Sequence, residues 1–315
     1  MCPGDIGMTA ISILSEGRYY RGNLHGHSTS SDGRDSPVEV IRLYRQAGYD
    51  FTCLSEHYWS NTRFCAQSII DMQDHNSDDF ITILSAELHC HGKRYDRDGL
   101  WHILANGLPA DFPMASDDET GPQLVRRAVD AGAYVSIPHP EWYTLGDDEA
   151  LSLAAAGAHG VEIYNHSSAI AVARGGGTAT IDLLHHEGHR VHILATDDSH
   201  HIAKDGCGGW VMVRAASLTP ASIITALKAG DFYASCGPQF AAVTLQDGSV
   251  DVTCSAVQRV ILAADNHRAD CVHGDGLTSA SFDLGDDLPA FLRIIIIDTQ
   301  GRPAWTNAVW LDHTS

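Results

Sequence analysis

The sequence predicts an α/β chain: a seven-stranded barrel of βα units over residues 1–237, then a small antiparallel, sandwich-like module over 238–315. Three observations carry this expectation. Residues 19–237 alternate short apolar runs with helix-like segments, the pattern of strands joined by helices around a parallel sheet. After "DFYASCGPQF" (231–240) the helix-like segments stop, and short β-rich runs separated by turn residues follow. The 315 residues are enough for one large barrel and a small accessory module.

The elements follow in order. "YYRGNLH" (19–25) reads as the first strand. "SPVEVIRLYRQAG" (36–48) reads as a helix: Ser36 is the N-cap, Pro37 takes the first helical position, Glu39 completes a capping box and Gly48 closes it. "DFTCLSE" (50–56) is a strand, 62–74 a helix, and "FITILSAE" (80–87) and "WHILANGL" (101–108) are strands. "GPQLVRRAVDAG" (121–132) is a helix, "AYVSIPHP" (133–140) a strand and "DDEALSLAAAG" (147–157) a helix. "GVEIYN" (160–165) is a strand, "GGG" (175–177) a flexible loop, 178–188 a helix and "HRVHILATDDSH" (189–200) a strand. In the C-terminal region "QDGS" and "TQGR" read as hairpin turns, and Ile294–Ile297 as a buried strand.

Composition excludes some functions. The formal net charge is −20, with 20 Lys and Arg against 40 Asp and Glu. Extended binding to a nucleic-acid backbone needs clustered basic residues, so it is not expected. A small anionic substrate remains open. No run approaches the ~18 apolar residues of a membrane helix, and the N-terminus lacks the basic region of a signal peptide. The eight cysteines, from Cys2 to Cys271, include no C-x-x-C pair. Reduced thiols and a cytoplasmic location are the expectation. The oligomeric state is not legible.

Histidine is abundant, with 19 residues, and its placement matters more than its number. His25, His27 and Asp32 lie at or just beyond the end of the first strand. Later strand ends carry Glu56 and His57, Glu87, His139, Glu162 and Asn165, and finally Asp197, Asp198 and His200. In a βα barrel these ends converge on one face. So many imidazoles and carboxylates would be costly to bury unpaired, whereas together they suit Zn, Mn or Fe. The histidines of "HHEGH" (185–189) read instead as helix C-terminal residues facing the last carbonyls, and His159, His189 and His192 as structural or solvated.

In order, "HGHSTSSDG", "LSEH", "SAELHCHG" with "WHILANGL", "IPHP" and "ATDDSH" resemble the metal-binding motifs of the PHP (polymerase and histidinol phosphatase) family. "GGWVMVRA" and "FYASCGP" extend the likeness to about residue 238. Glu56 stands where the family often has Asp. The resemblance implies a distorted (β/α)7 barrel and a di- or trinuclear site. His25, His27, Glu87 and Asp198 would surround one metal, Glu87, His102 and His139 a second, and Asp32, His57 and His200 a third. His89 and His91 are rivals to His102, which starts a strand rather than ending one. The implied activity is hydrolysis of a small phosphomonoester or phosphodiester, with hydroxide shared between metals as nucleophile and His25, His27, Glu87 and Asp198 at the catalytic core.

Candidate substrate contacts are Arg63, Lys93, Arg94, Trp142, Tyr143, Asn165, His166, His201 and Lys204: the basic ones for an anion, Trp142 and Tyr143 for a ring. Two alternatives stay open. The same metal site could hydrolyse an aryl ester or carbamate, or the protein could be a non-catalytic, metal-stabilised binding protein.

Overall fold

The computed structural model describes residues 11–14, 17–60, 63–94, 99–265 and 268–311. The chain divides into two compact units, Arg18–Ala234 on one side and Met1–Gly17 with Ser235–Ser315 on the other. A cut at residue 237 alone leaves the first residues with the larger unit. Instead strand β1 (Ile11–Leu14) pairs antiparallel with β12 (Phe240–Gln246) of the smaller unit.

In the larger unit, β2 (Tyr20–Asn23), β3 (Phe51–Leu54), β4 (His57–Tyr58) and β5 (Ile81–His91) are followed by β6 (Leu100–Asn106), β7 (Tyr134–Ile137), β8 (Gly160–Asn165) and β9 (His192–Thr196). Then come β10 (Trp210–Val213) and β11 (Phe232–Ser235). The helices are α1 (Pro37–Gln46), α2 (Gly121–Asp130), α3 (Asp147–Ala155), α4 (His166–Val172), α5 (Thr178–His186), α6 (Ile202–Asp205) and α7 (Pro220–Ala229). β2, β3 and β5 pair in parallel, as do β7, β8 and β9. Two strands break the expected alternation: β6 is antiparallel to both β5 and β7, and β10 is antiparallel to β2. The unit is therefore mixed α/β with a mostly parallel sheet. Past the strand ends, Asp198 N donates to His25 O at 2.9 Å and His27 N to Ser199 O at 2.8 Å.

Local sequence explains most of these elements. Ser36 Oγ accepts from Glu39 N and Pro37 opens α1, but Glu39 turns its carboxylate to Arg42 rather than closing a capping box. Gly48 follows in the left-handed conformation (φ 79°) that ends a helix. The helix expected over 62–74 does not form among the described residues, apart from a 3-10 turn at Gln73–His75. Ala66 N donates to His57 O instead, bridging this stretch to β4, and that backbone pairing competes with a helix.

Leu24, Phe51, Ile83, Tyr134, Leu194, Val211 and Phe232 form the core with Ile223 and Leu227 of α7. Each fully buried side chain of this kind contributes roughly 1.5–3 kcal/mol. Gly22 is required here, because a Cβ would lie 2.1 Å from the Phe51 ring. "GGG" is not a loose linker either: a Cβ on Gly177 would sit 1.9 Å from Glu162 O, and one on Gly175 2.4 Å from Asn165 O. These glycines let the chain press directly against β8.

The smaller unit is antiparallel throughout its described residues. β13 (Ser249–Ala264) pairs with β12 and with β14 (Ala269–Asp283), and its second half also pairs with β15 (Phe291–Ile297). β16 (Pro303–Thr306) and β17 (Val309–Trp310) both pair with β15. Asp247 and Gly248 have φ of 50° and 78° at the "QDGS" turn, the geometry of a two-residue hairpin. Leu292, Ile294 and Ile296 are fully buried. Cys53, Cys65, Cys90, Cys207, Cys236, Cys254 and Cys271 are free thiols, while Cys2 lies outside the described residues. No described helix is long and apolar enough to cross a membrane.

Candidate metal centre

The residues after β2, β3, β7 and β9 meet at one end of the larger unit. β5 reaches the same end with Glu87, which is fully buried and central to the cluster. His102 Nδ1 lies 2.7 Å and His139 Nε2 3.0 Å from Glu87 Oε1. His57 Nδ1 lies 2.7 Å from Oε2, and His25 Nε2 and His27 Nε2 each 3.6 Å from it. His102 reaches this rim because β6 is reversed: the start of an antiparallel strand lies beside the end of its partner, in the His89–His102 cross-strand pair.

The other residues close round this hub. His27 Nε2 is 3.0 Å and His25 Nε2 3.3 Å from Asp198 Oδ1. Asp32 faces His57 at 3.5 Å and His200 at 3.4 Å. Liganding atoms lie within 4.8 Å of one another in four groups: His27, Asp32, His57 and His200; His25, Glu87 and His139; His25, His27 and Asp198; and His57, Glu87 and His89. His102 falls in none of these groups, whereas His89 does. His139 (φ 27°) and Asp198 (φ 52°) hold left-handed backbone conformations. Strain of that kind collects where a site demands a fixed side-chain direction.

Electrostatics follow from this crowding. Burial opposes charge on His57, but Glu87 and Asp32 outweigh it and lift its pKa to about 10. Burial likewise opposes charge on His200, which hydrogen bonding to Asp32 and the nearby Asp198 raise to about 9. His27 goes the other way, to about 3, through burial and the neighbouring His57 and His200. Burial favours protonated Glu87, yet the surrounding imidazoles hold it well below its usual value. Asp197 and Asp198 separate. Asp198 faces the cluster, while Asp197 turns away to accept from Tyr44 Oη and the amides of Cys207, Gly208 and Gly209. Glu56 accepts from Ser28 N at 3.1 Å and from the hydroxyls of Ser28 and Ser31, fixing the loop that leads to Asp32.

Whether the cluster fits a metal is tested by His25. Its Nδ1 meets Glu162 Oε1 at 2.7 Å, so that nitrogen carries the proton. In the neutral ring the buried Nε2 then has no hydrogen-bond partner and turns its lone pair toward two carboxylates. Burial opposes charge on His25, but Asp198 and Glu162 outweigh it and raise its pKa, and a cation can take the place of the second proton. Three electron-rich groups facing one point suit a divalent cation between them, and the donor set is that of Zn, Mn or Fe.

A cavity of about 280 Å³ opens above, lined by Asp32, His57, Glu87, His102, His139, Asp198 and His200, with Phe64, Leu100, Trp142, Ser167, Ser168 and Ala171 as walls. Of the nine substrate candidates only Trp142 lines it. Lys93 is buried, its Nζ 3.2 Å from Glu149 and 3.1 Å from Thr144 O. Arg63, Arg94 and Lys204 are exposed. Tyr143 is buried behind His102 and His139, Asn165 caps α4 and His166 meets Tyr164 Oη. His201 opens α6, its amide donating to Asp205. Sequence reasoning missed the apolar walls, which carry no motif. It also missed the roles of Glu162 and His89, although residues two apart on a strand share a face and so place His89 beside Glu87.

No family model and no curated protein matches the chain. Among solved structures, it is similar to a two-domain protein from Bacteroides vulgatus described as containing a predicted PHP-like metal-dependent phosphoesterase. That match has 16% identity and a TM-score of 0.53, covering 94% of this chain and 97% of that one. A candidate metal-dependent phosphoesterase from Bifidobacterium adolescentis (14% identity, TM-score 0.40) covers 57% of this chain and 87% of its own. An amidohydrolase from Chromobacterium violaceum (15%, 0.44) covers 58% and 89%. The chain thus shares the fold of that two-domain protein from Bacteroides vulgatus.

Proposed function

We propose that the protein is a metal-dependent hydrolase of small phosphate esters, its larger unit a distorted (β/α)7 barrel and its smaller one a β-sandwich. The observation that carries the reading is Glu87, a buried carboxylate with six imidazoles around it, in the lining of an open cavity. His25, His27, Asp32, His57, Glu87, His102, His139, Asp198 and His200 would hold two or three divalent metals, Zn, Mn or Fe. Such metals activate water and offset charge on the reacting oxygens.

The chain's own groups do the rest. Glu87 and Asp198 supply the negative charge that makes the centre selective for cations. His102 and His139 fix the Glu87 carboxylate through Oε1. Ser167 and Ser168 place hydroxyls on the wall where ester oxygens would lie, and Phe64, Leu100 and Trp142 exclude water.

Metal analysis and a p-nitrophenyl phosphate assay test the proposal together. At least two metals per chain are expected, with turnover removed by chelation and restored by Mn or Zn. Asp198→Ala and His27→Ala are expected to lower turnover by more than the ~10–100-fold that loss of an outer partner costs. Stoichiometric metal in the wild-type protein with no measurable turnover, and variants that change only stability, would sink the hydrolytic reading and leave the metal as scaffold.

One observation favours a second reading. Phe64, Leu100, Trp142 and Ala171 line the cavity, while no Lys or Arg does among the described residues. An aryl ester or carbamate would suit such walls. A panel pairing aryl phosphates with aryl acetates and carbamates discriminates, since clear preference for the uncharged esters would overturn phosphate as the substrate.

A further inference from the structure

Two fully buried side chains outside the nine candidate ligands, Glu162 and His89, sit directly behind two of them. From β8, Glu162 gathers four donors. His25 Nδ1 and Thr196 Oγ1 reach Oε1 at 2.7 Å each, and His139 N at 2.7 Å and Asn165 Nδ2 at 2.9 Å reach Oε2. Asn165 Nδ2 also lies 3.1 Å from Asp198 Oδ2. One carboxylate is thus joined to His25, to the backbone of His139 and, through Asn165, to Asp198.

His89 plays the matching part for His57. Its Nδ1 lies 3.0 Å from Trp101 O, which can only accept, so the proton sits on Nδ1 and the lone pair on Nε2. That Nε2 is 2.8 Å from His57 Nδ1. The other neighbour of His57 Nδ1, Glu87 Oε2, is also an acceptor. In the neutral ring, the form a cation takes, the proton of His57 is therefore on Nδ1, and its Nε2 lone pair faces the group made with Asp32 and His200.

We propose that Glu162 and His89 are positioning residues that lock His25 and His57 in the Nδ1–H tautomer and turn each Nε2 toward the metals. This rests on the metal-centre reading above. Neither residue touches substrate. Their work is to remove tautomeric and rotational freedom that binding would otherwise have to overcome. His89 has a further use. Once Glu87 gives its oxygens to cations, His89 is the acceptor left to hold the His57 proton.

The test is Co(II) binding by full-length Glu162→Gln and His89→Gln, followed by absorption spectroscopy and chelator competition, with apo-protein thermal melts beside it. Each variant is expected to keep the wild-type number of Co(II) ions and a cooperative melt, but to bind ~10–100-fold more weakly, with an altered d–d spectrum. Unchanged affinity in a folded variant would overturn the proposal. So would loss of one whole equivalent in His89→Gln, which would make His89 a ligand. Should Glu162→Gln fail to fold, His89→Gln and the milder Glu162→Asp carry the same readouts. A wild-type protein that binds no Co(II) would instead refute the metal centre itself.

Discussion

Single residues here have conformations and charge states that only their neighbours explain. Away from the centre, the part-buried His192 stacks on Tyr134 and meets Phe232 edge-on. Burial first, then His159 and His185, push its pKa from 6.5 down to about 4. The unfolded ring takes up a proton at higher pH than the folded one. Its contribution to stability is therefore complete above pH 6.5 and lost as pH falls toward about 4. The full span is at most about 3 kcal/mol, reduced by whatever solvent reaches the ring. Melts from neutral pH to about 4 should show a shallower loss of stability in His192→Gln than in wild type, and parallel curves would refute the assignment. The sequence reading left His192 structural or solvated and did not see this coupling, because Tyr134 and His159 come from distant segments. The H-x-H of His25 and His27 was legible for the opposite reason: its spacing is local. Glu162 was visible as a strand-end carboxylate, but its four donors come from four separate stretches of chain.

At the scale of elements, strands that end in chemistry-bearing residues were readable, and the direction of β6 was not. Apolar alternation does not say whether a neighbour runs parallel, so His102 looked misplaced until the β5–β6 pairing put its strand start beside Glu87. The helix expected over 62–74 failed because His57 O takes the Ala66 amide proton, a tertiary choice that overrides local pattern. "GGG" was misread for want of its partner. Gly177 lies against the backbone of β8, the strand that carries Glu162. Gly177→Ala is expected to cost about 1–3 kcal/mol through overpacking and to weaken metal binding as β8 is displaced. Urea denaturation and a Co(II) titration check both effects. A neutral Gly177→Ala would mean that the strand has slack the packing does not indicate.

At the scale of the whole molecule, the centre concentrates negative charge in a chain whose net charge is already −20. Cations bound only by the folded state stabilise it by about 2.7 kcal/mol at one hundred times Kd. Stripping metal should therefore lower the melting temperature by several degrees, at ~2–4 °C per kcal/mol for a domain of this size. Calorimetry with and without chelator, then with added Mn or Zn, measures it. An unchanged transition would mean that the cluster holds no cation. The reversal of β6 has a consequence for how such a protein can diversify. A parallel connection needs a crossover of a dozen or more residues, but β5 and β6 are joined where Gly92 N donates to Gly99 O at 2.8 Å. Doubling the length of a flexible loop costs only ~0.6 kcal/mol. Descendants, or an engineer, can therefore vary how these two strands are connected at little cost, while the cross-strand pairing that brings His102 to the Glu87 end of β5 stays as it is.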